Sequence, residues 1–523
     1  VQPIKITRSS HTSWTATNLT FKNIPPFAYG STSTSNPAWD IQPDVTTGEV
    51  KLTGTATPSF NSSFVGQFIN MPKGGRIFVK KFNSASEVVG VVTIELANTN
   101  VVSSGDWEKE TGYEDVMSSS RGWAATGTFW KSRLWLGFVG ERPQTILASK
   151  VGDFFNLDVG AALDDEGINI TIDDDRVNRI RSIFPGRGLQ IFTSGGEFSI
   201  RSGVNEPITP SSVVGQLSKE TLHGASTVQP QSVDGTTIFI EESGAVVRQF
   251  SFNDVEQSFN APNISITSQH LLSDPVSMDI RRAIKSEPSD YLYVVNDDGT
   301  VAVLNSLREQ DLLAWSHFET DGSFEGVAVS GNNAFFIVKR TLDGSTVRHI
   351  EMLNPDHFMD ASTLKTSGTA TSNWSGFNQL DNETVQVRGD DFILDDATVS
   401  SGSLTSSEEV KKLEAGLFIP AVVEPLPLDL AIEGQPFAGQ YKSVPEINIR
   451  MLESRNIVVD IDGQRTRPSF RTFGENVLDD PVENFTGWKR VFGGGITRDT
   501  NIKFTQEEPL EFHILSFTYT VRV

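Results

Sequence analysis

The sequence predicts an all-β protein, and three observations predict it. Apolar residues fall in runs of roughly four to eight, rich in Val, Ile, Phe and Thr. Gly, Asn, Asp and Ser cut those runs at turn-like intervals. The 3.6-residue period of an amphipathic helix is scarce, and its best candidates, such as residues 305–315 and 406–414, are short predicted helices.

The central part repeats one theme, an apolar strand, a glycine-bearing turn and a second strand. It reads LQIFTSGGEFSI at 189–200, TTIFIEESGAVVRQF at 236–250, DYLYVVNDDGTVAVL at 290–304 and NAFFIVKRTLDGSTVRHIEML at 333–353. An earlier copy is SRLWLGFVGERPQTILAS at 132–149. The turn glycines Gly140, Gly196, Gly244, Gly299 and Gly344 lie 56, 48, 55 and 45 residues apart. Four-stranded propeller blades recur at roughly 40–50 residues, so the spacing predicts a β-propeller core with insertions rather than unrelated hairpins.

The flanks differ. Residues 1–118 form a β-rich, Ser/Thr-rich segment with few repeats, and 119–372 hold the blades. Residues 373–415 contain ETVQVRGDDFIL, a hairpin turning at Gly389-Asp390-Asp391, then a loop at 400–407. Residues 416–523 alternate apolar and polar side chains, which predicts a C-terminal β domain of sandwich or barrel type, entered through Pro420, Pro425 and Pro427. A start at Val1 rather than Met leads us to expect further residues ahead of it.

Composition excludes several classes. The chain of 523 residues carries 43 basic and 66 acidic side chains, a net charge of −23, with no run of five like charges. A field of that sign repels nucleic acid unless Lys and Arg cluster. Cysteine is absent, which removes disulfides, thiolate metal sites and cysteine nucleophiles together. The apolar stretches, such as 417–423 with Pro420 inside it, fall short of the ~20 residues of a membrane-spanning helix. Burial of 34 Phe, 9 Trp and 6 Tyr must supply the stability.

A search for chemistry finds little. His11, His223, His270, His317, His349, His357 and His513 are scattered without the spacing that sets two ligands on one helical face, and each reads as a structural histidine. Neither a nucleophile elbow nor a phosphate loop occurs, and Gly493-Gly494-Gly495 has no following Lys-Ser. The acidic triplets Asp164-Asp165-Glu166 and Asp173-Asp174-Asp175 read as solvated turns, since a glycosidase needs two carboxylates across a cleft. Carboxylate oxygens could also take Ca²⁺, though neither triplet has the spaced loop of a calcium hand. Asn296-Asp297-Asp298-Gly299-Thr300 lacks the terminal Trp of a sialidase-type turn. The basic residues Arg176, Arg179, Arg181 and Arg187, and the pair Lys339-Arg340, are interrupted by acids and apolar residues, as on an ordinary solvated face. No catalytic, cofactor-binding or metal-binding residue is therefore expected.

Several strings resemble the nozzle proteins (tail tubular protein B) of short-tailed bacteriophages, a family related to tail hub or DNA-stabilization proteins. They are RLWLGFVGERPQTILASKVGDFFNLDVG (133–160), INITIDDDRVNRIRSIFPGRGLQIFTSGGEFSIRSG (168–203) and EPITPSSVVGQLSKETLHGAS (206–226). LLAWSHFETDGSFEGVAV (312–329), VKRTLDGSTVRHIEML (338–353), PLPLDL (425–430), TGWKRV (486–491) and EPLEFHILS (508–516) follow in order. The series covers about four-fifths of the chain, from near Asp106 onward. Family members carry a further segment ahead of the region resembling 1–27, a departure at the front of this chain. Within the strings, Trp315 beside Asp321-Gly322 reads as a buried anchor under a blade turn, contributing about 2–3 kcal/mol. Gly195-Gly196 reads as a hairpin needing positive φ.

The resemblance implies a non-enzymatic virion protein of the phage tail, assembled in the host cytoplasm. It implies a homo-hexameric ring below the portal, with tail adaptor (tubular protein A) and tail fibres as partners and contact with the host envelope. DNA would be retained and then conducted through the lumen without specific binding, and no cofactor is implied. Two rivals stand beside it: a propeller that binds a receptor glycan at the tail tip through exposed aromatics, and a propeller glycosidase or lyase.

Overall fold

A computed structural model describes residues 1–27, 33–111, 115–160, 162–201, 206–285, 287–427, 431–432, 435–436, 439–471 and 480–522. Leu428 to Leu430, and Ser202 and Gly203 at the end of the 168–203 string, lie outside them. The fold is all-β: among the described residues the one α-helix is Val213–Gln216.

Five consecutive antiparallel sheets form the propeller-type core. The first four each have four strands hydrogen-bonded in chain order. They are Thr126–Trp130, Arg133–Val139, Arg142–Ala148 and Ile168–Thr171; Ile180–Pro185, Leu189–Thr193, Glu197–Ile200 and Leu217–Thr221; Gln231–Val233, Thr236–Ile240, Val247–Asn253 and Ser258–Asn260; and Pro275–Arg281, Asp290–Asn296, Val301–Leu307 and Leu312–Phe318. The fifth has three, Ser323–Ser330, Asn333–Leu342 and Ser345–Met352. Each of the five turn glycines sits between the second and third strands of its blade. Gly140, Gly244, Gly299 and Gly344 have positive φ. Gly196 and its neighbour Gly195 do not, and small size is what they supply. A Cβ on Gly196 would stand 2.7 Å from the Thr221 carbonyl oxygen, and one on Gly195 would stand 2.5 Å from Asn178 Oδ1.

The central strands explain the continuous apolar runs. Every residue of Leu189–Thr193 and Glu197–Ile200 is buried, as are nearly all of Arg133–Val139 and Asp290–Asn296. A strand buried at every position is covered on both faces, so alternation disappears.

The chain divides into two compact units. One comprises Val1–Ile280, Pro288–Leu292 and Leu304–Trp315. In it, blades one and two share a core of Trp135, Ile146, Ile168, Ile183, Ile191 and Phe198. Phe192, Phe239, Phe250 and Phe259 pack between blades two and three. Ahead of the blades lies a seven-stranded sheet, with Glu49–Gly54 alternating outward and inward over a core that includes Trp107. Ahead of that is a hairpin, Ile4–Arg8 with Trp14–Asn18, exposed at all ten positions. Trp315 departs from expectation. It is half-buried on the outer strand of its blade, and its Nε1–H donates to the Ile264 carbonyl at 3.0 Å. An outer strand is covered less than a central one, so the anchor role passes to the fully buried Trp135.

The other unit comprises Arg281–Glu287, Tyr293–Val303 and Ser316–Val523. It holds blade five and a sheet ordered Asp360–Ser375, Ser403–Leu417, Thr384–Gly389, Phe392–Thr398. The hairpin at Gly389-Asp390-Asp391 is present but is no insertion: it forms half of this sheet, whose first strand crosses the expected boundary at 372/373. Neither predicted helix forms. Residues 406–414 lie inside the strand Ser403–Leu417, and 305–315 span two strands joined by the 3₁₀ turn Arg308–Gln310. Pairing of Ser403–Leu417 on both edges outweighs the helix propensity of its Glu and Lys residues, and it overruns the expected loop at 400–407. The C-terminal domain is a sandwich. A sheet ordered Phe485–Phe492, Ser443–Ser454, Ile514–Arg522 packs on one containing Val458–Ile461 and Ile502–Thr505 through Ile447, Ile449, Val459 and Phe504.

Candidate functional site

A cavity of about 780 Å³ in the second unit lies against the third strand of blade five. That strand, Ser345–Met352, leaves the preceding one through Asp343-Gly344, both at positive φ (46° and 70°), the conformation of a two-residue type I′ hairpin. Alternation along Asn333–Leu342 turns Ala334, Phe336, Val338 and Arg340 inward and leaves Ile337 and Lys339 exposed. Phe318, Phe324 and Phe336 form the cavity's aromatic wall, with the last two rings 5.2 Å apart.

Arg340 is the charged centre of this region. Its side chain has no exposed surface. Nε and Nη2 donate to the two oxygens of Glu351 at 2.7 and 2.6 Å, and Nη1 and Nη2 donate to those of Asp360 at 2.8 Å each. Nη1 also donates to the Asp321 carbonyl at 2.7 Å. Burial works against the charge, but the hydrogen bonds and charges of Glu351 and Asp360 outweigh it and raise the Arg340 pKa. The same Asp360 carboxylate accepts from Thr320 Oγ1 at 2.8 Å and from the Asp321 amide at 3.1 Å. The triad therefore ties the Asp360 strand to the blade. Sequence reading placed Arg340 on a solvated face. Its parity with Phe336 and Val338 was the signal that it points inward.

His349 and His357, eight residues apart, line this one cavity. His349 Nδ1 lies 3.8 Å from Glu351, and His357 Nδ1 lies 2.6 Å from Ser362 Oγ and 3.7 Å from Glu414. Serine and carboxylate thus approach the same ring nitrogen. A relay that activates serine needs the carboxylate on the opposite nitrogen, so this is not a nucleophile triad.

The other residues singled out are engaged elsewhere. Buried Arg133 donates to the backbone carbonyls of Ser149, Asp164 and Glu166 at 2.5–2.7 Å, which folds the first acidic triplet over it. In the second triplet Asp174 receives Lys219 Nζ and Asn178 Nδ2 at 2.6 Å each. Those hydrogen bonds, Lys219 first, lower its pKa to about 2. The Lys219 ammonium thus already supplies the positive charge beside Asp174. Arg181 pairs with Glu242 at 2.6 Å, Arg187 with Asp254 at 2.8 Å, and Arg179 lies 4.5 Å over Phe138. Among the described residues no group of three or more His, Asp or Glu is arranged to hold a metal ion. None of the described helices is long and apolar enough to cross a membrane.

Sequence reasoning missed several buried acids, Glu197 and Glu414 among them. Glu197, in a central strand of blade two, has its pKa raised by burial, against hydrogen bonds from Thr221 and the His223 amide. Only its flanking apolar run could have hinted at that burial.

No protein-family model matches the chain, and no curated protein matches it. Solved structures similar to it include dihydro-heme d1 dehydrogenase NirN in complex with DHE, at 10% identity and TM-score 0.30, covering 73% of this chain and 75% of that one. BamB from Moraxella catarrhalis is similar at 11% identity and TM-score 0.23, covering 59% and 94%. The Neurospora crassa Pan2 WD40 domain is similar at 10% identity and TM-score 0.26, covering 58% and 86%. Likenesses of this size carry no argument about function.

Proposed function

We propose that this chain is a structural, non-enzymatic subunit of a short-tailed bacteriophage's tail nozzle. Copies assemble as a ring, six in number, below the portal and tail adaptor, and the ring retains and then conducts DNA. The observation that carries the reading is the ordered series of nozzle-like strings, running from the first blade to the C-terminal sandwich. Two further observations support it. Three of the Arg residues that could have gripped phosphate pair with acids of the same chain, Arg181 with Glu242, Arg187 with Asp254 and Arg340 with Glu351 and Asp360. With a net charge of −23 per copy, a channel wall repels a sliding duplex, whereas a phosphate-binding wall would retard it.

Imaging the purified protein by negative stain, with sedimentation velocity, tests this. A closed ring with an axial pore is expected, and no shift of free duplex DNA in a gel even at low salt. A monomer at every concentration, or micromolar duplex binding with a steep salt slope, overturns the reading.

A second reading, glycan recognition at the tail tip, is favoured by one feature. The outer face of the Phe485–Phe492 strand presents Trp488 and Phe492, 54% and 64% exposed, with Arg450 opposite Trp488. Flat aromatics beside polar side chains suit stacking on sugar rings. Quenching of tryptophan fluorescence by host polysaccharide, lost in Trp488→Ala, would favour this reading over the first.

A further inference from the structure

Blade five stops one strand short. In each of the other four blades a fourth strand covers the outer edge of the third, but the strand after Ser345–Met352, Asp360–Ser375, pairs with Ser403–Leu417 instead. The third strand's outer edge therefore has no strand beside it among the described residues. The cavity reaches that edge, because besides the aromatic wall it is lined by seven consecutive residues, 348–354. Successive strand residues face opposite sides of a sheet, so the five strand residues 348–352 can all line one cavity only if it reaches around the edge.

The register shows which groups point outward. The two-residue turn pairs Leu342 with Ser345, and the Leu353 amide donates to the Ala334 carbonyl at 2.9 Å, so odd-numbered residues of the strand bond inward. Thr346, Arg348, Ile350 and Met352 turn their backbone N–H and C=O groups out. Their side chains share the exposed face, where Ile350 is 78% and Met352 47% exposed. Natural edge strands are usually blunted by charge, proline or a bulge, and an apolar one is a template for another strand.

The N-terminal hairpin has the matching features. The Leu19 amide bonds to the Pro3 carbonyl, so Ile4, Ile6 and Arg8 turn their backbone groups away from the partner strand. Ile4, Ile6 and Trp14 share one face and are 54%, 68% and 58% exposed. An isolated two-stranded hairpin is marginal in water and needs a surface to lie on. Its charge also opposes that of the rest of the chain: it carries Lys5 and Arg8 and no acid, in a protein of net −23.

We propose that the hairpin of one copy adds to the free edge of blade five in a second copy, supplying the missing strand. Antiparallel addition pairs outward residues with outward residues, which sets Ile4 beside Met352 and Ile6 beside Ile350 on one face, with Arg8 beside Arg348, whose guanidinium is already paired with Glu325. The joint is head-to-tail, each copy giving a hairpin and receiving one, so a closed series of such joints is a ring. The inference rests on the ring reading above for its biological setting, but not for its test.

The chain has no cysteine, so single cysteines report without background. Full-length Ile6→Cys and full-length Ile350→Cys proteins are mixed and treated with a short bis-maleimide. The expected result is a covalent dimer from the mixture, well above the yield from Ile6→Cys mixed with Val177→Cys, an exposed control on blade two's approach. Adding Thr346→Pro to the Ile350→Cys protein removes one outward N–H and lowers the yield several-fold, with an unchanged melting curve showing that the blade still folds. A mixture yield no greater than the control overturns the proposal. Sedimentation of the wild type separates the two readings. Rings without the cross-link refute the hairpin joint alone, whereas the cross-link with only open oligomers supports the joint and refutes the ring. Failure of both refutes both.

Discussion

Trp135→Ala measures how far the blades depend on their shared core. The indole is fully buried among Ile146, Ile168, Ile183 and Phe198, lies 6.1 Å from the Trp130 ring and donates Nε1–H to the Trp130 carbonyl at 3.2 Å. A buried Trp removes roughly 200 Å² from water, and at about 25 cal/mol per Å² that amounts to ~5 kcal/mol. A compact unfolded state reduces the figure to about 4 kcal/mol, within the usual range of ~3–5 for Trp→Ala in a core. Trp315, half-buried, scales to about 2 kcal/mol by the same reasoning. Urea titration followed by far-UV circular dichroism gives both values, and hydrogen exchange of blade peptides shows where each loss falls. Equal destabilisation by the two variants, or a silent Trp135→Ala, would refute the argument that blade cores lie between central strands.

Three further outcomes follow from buried and paired charges. Arg340→Met leaves Glu351 and Asp360 facing each other and should cost about 3–5 kcal/mol. Neutralising both carboxylates in the same chain (Glu351→Gln, Asp360→Asn) should recover most of it in a thermal scan. Glu197 has a raised pKa, so its contribution is complete below the unfolded value of ~4.3 and is lost as pH rises through the folded one. Glu197→Gln should flatten that decline when melting temperature is plotted against pH. Asp174, depressed to about 2, acts in the opposite direction. Its contribution is present above ~3.9 and is lost as pH falls toward 2, so wild type and Asp174→Asn should converge over that interval.

The blades were legible because their central strands are buried on both faces, which writes an unbroken apolar run on each side of a turn glycine. The outer strands escaped for the converse reason. Leu217–Thr221 is half-buried throughout and Leu312–Phe318 is mostly exposed, so neither carries a run. The helix expected at 406–414 failed although the local pattern does favour a helix, with Ser406, Val410, Leu413 and Glu414 the buried residues, because pairing with a strand on either side overrides it. The cavity was not legible at all. His349, His357 and Ser362 meet through the return of the chain after blade five, which no local pattern encodes.

Burial of central strands on both faces has a kinetic consequence. A blade emerging during synthesis has one face covered by the blade before it and the other uncovered until the next is made. Each intermediate then carries an apolar sheet face in water, and assembly advances by nearest-neighbour addition, as in repeat proteins. A chain arrested after Asn260 would have its Phe239 and Phe250 layer already covered by blade two but would leave the opposite face of blade three, with Ile238, Ile240 and Val247, at a growing end, and that end is where a chaperone would find its substrate.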